Sequence, residues 1–587
     1  MKFRKLDNWE VLEDLDGLLF FAQRLDEMLF DYTLDTYKPP VLCAPYICNE
    51  AISLISDIED KKIDKANLKH VLEELEWSLK SDPVAKSLMD TDHKQYFTID
   101  DNKPLTSRQL RLEVLSQTLN PERYLKKCQE LLESAVINGH KNDIDLLVRL
   151  YIARLINGGL SKKVIMEKVE GFFFYGVKGK IDNSHKINEF FEYLYPYSHN
   201  FEMLFIVDSL ITKVKDSVKN FGITILDDLP EEFEEYSDEL GFKKNDDEVY
   251  IITKKFRALD VYSARGIAER KLDSLSDLFM IFAHKARISW RDSILVKQCC
   301  TEGIKQIGKP QNAMEKGIDL RPDVASERLN RMIKRFSVQK DSFERFDRVV
   351  DLHGMSIIND IPENQLLNTW ISLETITPTH VGNTKINEMI DLLLPVFMLG
   401  YSKRIVNNLA FDLIRWDRKK TREILSQLDC DSELKLSEKV LILLTNEDTE
   451  NVLSEFYSAL TNFPLLKYRL FTLRKDFKTP KGWKKRLETH SVKVAWQIRR
   501  IYRTRNIIVH SGKPPKFINA LIENAHDYLD QVMYSYIELS CENYRIKSLE
   551  QCFELCVMKW DVYQKKLSSL DKFNTDSCKF ITRDAIA

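Results

Sequence analysis

Three polar side chains near residue 505 combine a cation, an amide and an imidazole. Arg505 and Asn506 lie in a run without Gly or Pro, residues 491–509, where apolar residues recur at helical spacing, and His510 follows it directly. Asn506 and His510 are four residues apart and would share a helix face, within reach of the long Arg505 side chain. Gly512 and two prolines end the predicted helix. An acid or base near neutral pH beside a fixed positive charge suits chemistry on a phosphodiester.

The same residues have a second interpretation that requires no chemistry. Surface helices commonly carry basic side chains at the C-terminal end, where they offset the negative pole of the helix dipole. In that case Arg505 and His510 serve only the stability of the helix. The charge and the motifs around this helix end therefore bear on the choice between the two interpretations.

The composition indicates a helix-rich protein with proper hydrophobic cores. Of 587 residues, 44% are hydrophobic and 30% are charged, while Gly and Pro are scarce. The ten cysteines form no CxxC pair and no Cys/His set with zinc spacing, so we expect reduced thiols, no metal and no cofactor. No window reaches the ~18 uncharged apolar residues of a membrane span, and a signal-peptide core is lacking. We therefore expect a cytoplasmic protein without a membrane partner.

The apolar pattern predicts a mainly α fold, with a helical bundle in the C-terminal half and one region of mixed structure. Three aliphatic and aromatic runs, at 201–207, 221–226 and 249–253, predict the strands of a small α/β insert. Asp260 or Ser263 is the expected cap of the helix that follows. The predicted segments are a helical N-terminal region with a sensor or regulatory role (1–195), the α/β insert (196–258), a helical linker (259–318), a C-terminal helical domain (319–570) and a polar tail (571–587).

Eleven acidic residues are concentrated between the second and third predicted strands, within residues 227–248. A solvated loop is one interpretation of this stretch. A mimic of nucleic acid, or a cover over a basic region elsewhere in the chain, is the alternative.

A basic block, defined here as residues 467–505, contains 14 Lys and Arg, and only Asp476 and Glu488 oppose them. Six aromatic residues are interleaved. Basic side chains with aromatic rings suit a phosphate backbone whose bases stack on the rings, whereas a solvated basic face packed by its own aromatics is the alternative. The predicted RNA contacts are Lys484, Lys485, Arg486, Arg499, Arg500, Arg503, Trp496 and Tyr502.

The sequence around Arg505 resembles a known superfamily. Arg505, Asn506 and His510, followed by Ser511 and Gly512, match the R-x4-6-H motif of HEPN proteins, including the polar residue that usually follows the arginine. The resemblance covers about residues 319–567.

A second stretch carries the same resemblance. The segment from Trp370 to Glu374, Trp-Ile-Ser-Leu-Glu, resembles the W-x-x-L-E helix that opens the domain in ApeA-like HEPN proteins of the abortive-infection, anti-phage type. The stretch that begins at Asp260 is also similar to what precedes that domain in such bacterial proteins. About 130 residues separate Glu374 from Arg505, which is long for this fold, so we expect inserted helices between them.

The resemblance implies a homodimeric helical bundle in which two R-x4-6-H motifs face each other. It implies a metal-independent RNA endonuclease that is activated by a phage-derived or cellular trigger, with tRNA as the substrate that family analogy suggests. Arg505 would stabilise the phosphate charge and His510 would act as general acid or base. Asn506 would orient the phosphate or His510, and Glu374 would position Arg505. Attack by the 2′-hydroxyl would leave a 2′,3′-cyclic phosphate.

Two other functions fit the same residues. A non-catalytic HEPN module would bind RNA or a nucleotide, or would scaffold a defence partner. A helical adaptor would use its basic face to bind an acidic protein, and digestion of RNA would not release that partner.

Overall fold

The structure of the chain, a computed structural model, is mainly helical, as predicted. Helices account for 68% of it, and one antiparallel sheet is present. Two compact units are formed, one by Met1–Asn157, Phe173–Asn188 and Asn312–Ala587, the other by Gly158–Phe172 and Glu189–Gln311. In the described part of the chain, no helix combines the length and apolarity needed to cross a membrane. The described residues are 2–10, 15–29, 40–99, 103–301, 303–315, 319–378, 385–431, 433–512, 514–541, 544–575 and 580–583.

Two of the N-terminal helices begin at capping residues that can be recognised in the sequence. Asp82 accepts hydrogen bonds from the backbone amides of Val84 and Ala85, and Asn120 caps the helix that follows it in the same way. The helices are α1 (Asp16–Leu29), α2 (Ala44–Glu59), α3 (Ala66–Ser81), α4 (Pro83–Leu88), α5 (Leu105–Thr118), α6 (Pro121–Ile137), α7 (Lys141–Gly158), α8 (Lys162–Val169) and α9 (Lys186–Tyr193).

Apolar residues at helical spacing from Trp9 to Phe30 predict one helix over that stretch, whereas α1 begins at Asp16. Trp9 instead forms an isolated β-bridge with Ile181, and its indole N–H donates to the carbonyl oxygen of Phe173 at 2.9 Å. Trp9 fits the apolar pattern because its side chain is buried, although its segment is not helical. Phe30 lies outside the described residues.

The second unit is built on a six-stranded sheet in which β3, β4 and β5 pair directly with β1. The order is β2-β3-β1-β5-β6, with β4 also paired to β1, and every pairing is antiparallel. Its elements are β1 (His199–Asp208), α10 (Lys215–Val218), β2 (Ile223–Leu226), α11 (Glu231–Glu239), β3 (Glu248–Thr253), β4 (Phe256–Ala258), α12 (Val261–Met280), β5 (Ile294–Gln298) and β6 (Ile304–Ile307).

The three predicted strands are confirmed as β1, β2 and β3, but the predicted helical linker over 259–318 is not wholly helical. It contains α12, capped by Asp260 as expected, and then β5 and β6, which complete the sheet. The sequences of β5, ILVKQ, and β6, IKQI, contain polar residues that leave no apolar run longer than three residues, so neither strand was recognised from sequence. The strand β1 is buried on both faces: Phe205 packs in the core that contains α12, and Ile206 in the core that contains Phe233 of α11.

The acidic stretch is only partly the solvated loop that the sequence predicts. Its middle forms α11, because Phe233 and Ser237 are four residues apart and bury one face of a helix. The acidic side chains of that helix are exposed, and Glu232 forms an ion pair with Lys297 of β5.

The C-terminal helices return to the first unit. The apolar pattern predicts separate helices over 385–399 and 402–415, but the structure has one continuous helix there, with Pro395 inside it. The predicted helix 491–509 begins eleven residues earlier than predicted. The helices are α13 (Pro322–Arg335), α14 (Lys340–Ile358), α15 (Pro362–Ile376), α16 (Lys385–Trp416), α17 (Arg418–Leu425), α18 (Leu436–Thr445), α19 (Glu450–Ala459), α20 (Pro464–Phe477), α21 (Pro480–Ser511), α22 (Ile518–Cys541), α23 (Leu549–Ser569) and α24 (Phe580–Arg583).

The segment predicted as a polar tail, 571–587, contains the short helix α24. Phe580 and Ile581 are buried, and the Phe580 ring lies 5.3 Å from that of Tyr563 on α23. These two apolar residues pack α24 against the rest of the unit, although the stretch as a whole is polar. Residues 576–579 and 584–587 lie outside the described part.

Buried ion pairs join the N-terminal helices to the C-terminal ones. Arg469 of α20 contacts Glu27 of α1 and, at 2.6 Å, Asp412 of α16. Arg24 also binds Glu27, at 2.7 Å, and Asp145 of α7 at 2.6 Å. Since unpaired charges are costly to bury, these contacts specify how the helices pack. The helices α1 to α7 and the C-terminal helices thus share one compact unit, although the sequence predicts separate regions with boundaries at 195 and 319.

Candidate functional site

The helix α21 carries most of the predicted site and ends where the sequence analysis places its end. The Thr479 hydroxyl caps its start by accepting from the Gly482 amide at 3.0 Å, and Pro480 occupies the first turn. At the other end Gly512 adopts a left-handed conformation, φ 65°, and its amide donates to the carbonyl of Ile508 at 2.8 Å. The chain therefore turns away directly after His510.

The structure brings Glu374 to Arg505 across 131 positions of sequence. A carboxylate oxygen of Glu374 lies 3.8 Å from Nη2 of Arg505. The packing of α15 against α21 sets this approach: Trp370 is buried, with its ring centroid 5.7 Å from that of Tyr502, and Leu373 is buried beside it. The described residues between the two helices form α16 to α20, in agreement with the expected insertion.

Asn506 holds the other end of the same guanidinium. Nη1 of Arg505 donates to the side-chain oxygen of Asn506 at 3.0 Å. The Arg505 side chain is 31% exposed and that of Glu374 is 19% exposed, so the guanidinium is held by one hydrogen bond and one ion pair yet remains accessible to solvent. Ion pairs this exposed stabilise a fold by about 1 kcal/mol or less, so the contact matters for geometry more than for stability.

His510 lies on the last turn of α21 and is exposed. Among the residues that the structure describes, none shares a hydrogen bond or ion pair with its imidazole. The ring therefore faces solvent on the same helix end as the oriented Arg505 side chain. Such an arrangement offers a proton carrier and a fixed positive charge to a ligand from solution.

Two of the predicted RNA-contacting cations are buried in ion pairs. Arg500 is fully buried, and its Nη2 lies 2.8 Å from Glu50 of α2 and 2.7 Å from Glu74 of α3. Arg503, whose side chain is 4% exposed, lies 2.8 Å from Glu50. The sequence analysis counted two acidic residues against the basic block, and these two carboxylates come from more than 400 residues away. Neither guanidinium is on an open surface.

This cluster predicts an acid-sensitive contribution to stability. Burial alone would raise the pKa of Glu50, but the charges of Arg500 and Arg503 outweigh it and lower the pKa from 4.5 to about 2. The ionised form is thus favoured in the folded state, and its contribution is complete above pH 4.5 and is lost as the pH falls toward 2. We expect Glu50→Gln to be less stable than wild type at pH 6 by on the order of 3 kcal/mol, and less so at pH 3.

Urea unfolding at pH 6, 4.5 and 3 measures this difference. Glu488→Gln, at an exposed position of α21, is the matched control and should change stability little at any of these pH values. A deficit of Glu50→Gln that stays constant from pH 6 to pH 3 would contradict the role given to the Glu50 charge.

The predicted aromatic contacts also face the interior. Trp496 is 8% exposed and lies 5.8 Å from the ring of Trp77, and Tyr502 packs against Trp370. Elsewhere in the basic block, the rings of Phe477 and Trp483 stack at 3.9 Å in the core. Stacking of bases on these rings would require the packing to change.

The remaining predicted RNA contacts are more accessible. Lys485 is exposed, and Lys484 donates to the Ser568 hydroxyl at 3.0 Å. Arg486 forms an ion pair with Asp476, and Arg499 donates to the Asn387 side chain at 3.2 Å. At ~1.5 Å per residue, Lys485 is about 30 Å along α21 from Arg505. RNA binding by these residues stays a prediction, and exposed lysines that the prediction left out add to the same end of α21: Lys475, Lys478 and Lys481.

Comparisons with known proteins return no match: no family model, no curated protein and no solved structure matches this chain. The HEPN resemblance therefore stays a prediction that depends on the residues quoted for it.

Among the described residues, two clusters could bind a metal ion, and neither was predicted from the sequence. One combines His199 with Cys299 and Cys300, and the other combines His353, His526 and Asp530. In each cluster the ligand atoms lie within 4.8 Å of one another. The spacing of four between His526 and Asp530 on a helix is a local signal that could have indicated the second cluster. The other ligands come from distant parts of the sequence.

Proposed function

We propose that this chain is a metal-independent RNA endonuclease of the HEPN type that acts in an anti-phage, abortive-infection or toxin system. The observation that supports the proposal is the contact of Arg505 with Asn506 and Glu374 near the end of α21, whose last turn carries the exposed His510. A fixed cation and an imidazole that can transfer a proton are what cleavage of a phosphodiester by an internal hydroxyl requires.

The proposed chemistry is a transesterification. One imidazole removes the proton of the ribose 2′-hydroxyl, and the 2′-oxygen bonds to phosphorus as the bond to the 5′-oxygen breaks. Arg505 stabilises the negative charge that builds on the non-bridging oxygens. A dimer in which two R-x4-6-H motifs face each other supplies a second imidazole, which protonates the leaving 5′-oxygen. The products are a 2′,3′-cyclic phosphate and a 5′-hydroxyl.

Cleavage in the presence of EDTA tests the proposal. We expect the purified wild type, incubated with total RNA or with tRNA, to produce ends with 2′,3′-cyclic phosphate. Arg505→Ala should cleave about 10²- to 10³-fold more slowly, because the transition state loses its main positive charge. Sequencing of the cleaved ends and single-turnover rates give both quantities.

Arg418→Ala is the matched control, since Arg418 is an exposed arginine at the start of α17. It should cleave at the wild-type rate. Equal activity of Arg505→Ala and wild type would refute the role of Arg505, and ends with a 3′-hydroxyl would refute the chemistry.

A non-catalytic module is the second candidate function. The observation that favours it is the burial of Arg500, Arg503 and Trp496, which leaves the basic block less open than its composition suggests. This candidate predicts binding of RNA or of a protein partner with no cleavage by wild type. The N-terminal helices, which hold Arg500 through Glu50 and Glu74, would then serve the scaffold rather than restrain an enzyme.

A further inference from the structure

Three polar side chains converge between α14 and α22, and none of them is among the residues proposed for RNA cleavage. His526 and Asp530 are one turn apart on α22, and His353 of α14 faces them. The Nε2 atoms of the two histidines are 3.0 Å apart. Oδ1 of Asp530 lies 3.6 Å from Nε2 of His353 and 3.7 Å from that of His526. All three donors are thus within the span of one coordination sphere.

The three distances fix where an ion would sit. A triangle with these sides has a point about 2.0 Å from each corner, and zinc bonds to imidazole nitrogen and carboxylate oxygen are about 2.0–2.2 Å long. A shift of the ion slightly out of the plane keeps these lengths and leaves a fourth, tetrahedral position. Two imidazoles and a carboxylate are also a ligand set that zinc uses in proteins.

The burial of the cluster suits a bound ion that is reached from one side. His526 is 5% and Asp530 is 7% exposed, whereas the His353 side chain is 22% exposed. The more open His353 provides access for the ion and for a water molecule.

We propose that His353, His526 and Asp530 bind one divalent ion of the zinc class through two Nε2 atoms and one carboxylate oxygen, with water as the fourth ligand. The ion links α14 to α22 and stabilises the bundle when bound, by favouring the folded state. The sequence analysis expected no metal. The proposal does not depend on RNA cleavage, which involves other residues.

Titration of the metal-free full-length chain with Co²⁺ tests the site, because Co²⁺ replaces zinc and has visible absorption bands. We expect one equivalent to bind with the visible bands of a nitrogen and oxygen site. His353→Gln and Asp530→Asn should each weaken this binding at least about tenfold. His140→Gln, which removes an exposed histidine that also lies near an aspartate, should bind Co²⁺ as wild type does.

The sulfur ligands of the second cluster distinguish Co²⁺ bound there from Co²⁺ bound at the proposed site. Cys300 lies 2.9 Å from Nδ1 of His199, and Co²⁺ bound there would show near-ultraviolet thiolate charge-transfer bands that disappear in the double variant Cys299→Ser, Cys300→Ser. The bands assigned to the proposed site should survive in that double variant.

Thermal unfolding gives an independent measurement. Zn²⁺ should raise the unfolding temperature of wild type and of the double cysteine variant, but not that of His353→Gln. Circular dichroism verifies that each variant is folded, and Asp530→Asn replaces His353→Gln if the latter is not. The proposal is refuted if wild type binds no stoichiometric Co²⁺. It is also refuted if the nitrogen and oxygen bands persist in folded His353→Gln or Asp530→Asn, or if they disappear in the double cysteine variant.

Discussion

Arg500→Met is expected to lower the free energy of unfolding by about 3–5 kcal/mol, because it removes one partner from a buried ionic cluster. The Arg500 guanidinium is fully buried and hydrogen-bonded to both Glu50 and Glu74. After the substitution, Arg503 still contacts Glu50, but Glu74 loses its bidentate partner in a position where its side chain is 13% exposed. Urea unfolding at pH 7 measures the difference.

The same substitution in a Glu74→Gln variant distinguishes the loss of the ion pair from the cost of leaving a buried carboxylate unpaired. In a chain that already carries Glu74→Gln, no Glu74 carboxylate remains to be left buried without a partner. The loss of unfolding free energy caused by Arg500→Met should therefore be smaller by more than 1 kcal/mol. Lys485→Met, on the same helix at an exposed position, should change stability by about 0.5 kcal/mol or less. A cost of Arg500→Met as small as that of Lys485→Met would show that the cluster does not hold α21 against α2 and α3.

The cluster explains why the basic block was predicted as an open surface. A count of charges along residues 467–505 records only neighbours in sequence, whereas Glu50 and Glu74 reach Arg500 from helices more than 400 residues away. Composition alone cannot distinguish a cation that faces solvent from one that faces a distant carboxylate. The same limit applies to Trp496, whose partner, Trp77, belongs to the N-terminal helices.

Local signals, in contrast, predicted local structure well. The turn at Gly512 follows from a glycine that tolerates positive φ before two prolines, and Asp260 caps α12 because its carboxylate accepts from the next two free amides. The strands β1 and β3 are long enough for their aliphatic runs to be recognised. The strands β5 and β6 have polar residues within their four or five positions, and their place in the sheet depends on the pairing of β5 with β1 and of β6 with β5, which no local pattern encodes.

The contact between Glu374 and Arg505 joins residues that are distant in the sequence. Periodicity could not predict it, since the residues are 131 positions apart; the resemblance of the Trp370 helix to a known motif did. The resemblance gave no information on the cluster around His526, because that cluster is not part of the motif. Its recognition required the packing of α14 against α22.

His510→Ala is expected to reduce the rate of RNA cleavage about 10²- to 10⁴-fold, if this imidazole carries the proton of the 2′-hydroxyl or of the leaving oxygen. Stability should hardly change, because His510 is exposed on the last turn of α21. Single-turnover cleavage in EDTA and urea unfolding measure the two quantities on the same preparations. His140→Ala removes another exposed histidine and should leave both unchanged.

The exposure of His510 allows a stricter test, chemical rescue. Since the ring faces solvent, imidazole added to His510→Ala can occupy the vacated position and carry the proton in its place, so cleavage should recover in proportion to the concentration of neutral or protonated imidazole. The same additive should not restore Arg505→Ala, whose missing group is a fixed charge. Recovery in His510→Ala alone would therefore separate proton transfer from electrostatic stabilisation, and recovery in both variants would show that imidazole acts elsewhere. Full activity of His510→Ala without any additive would exclude this histidine from the chemistry.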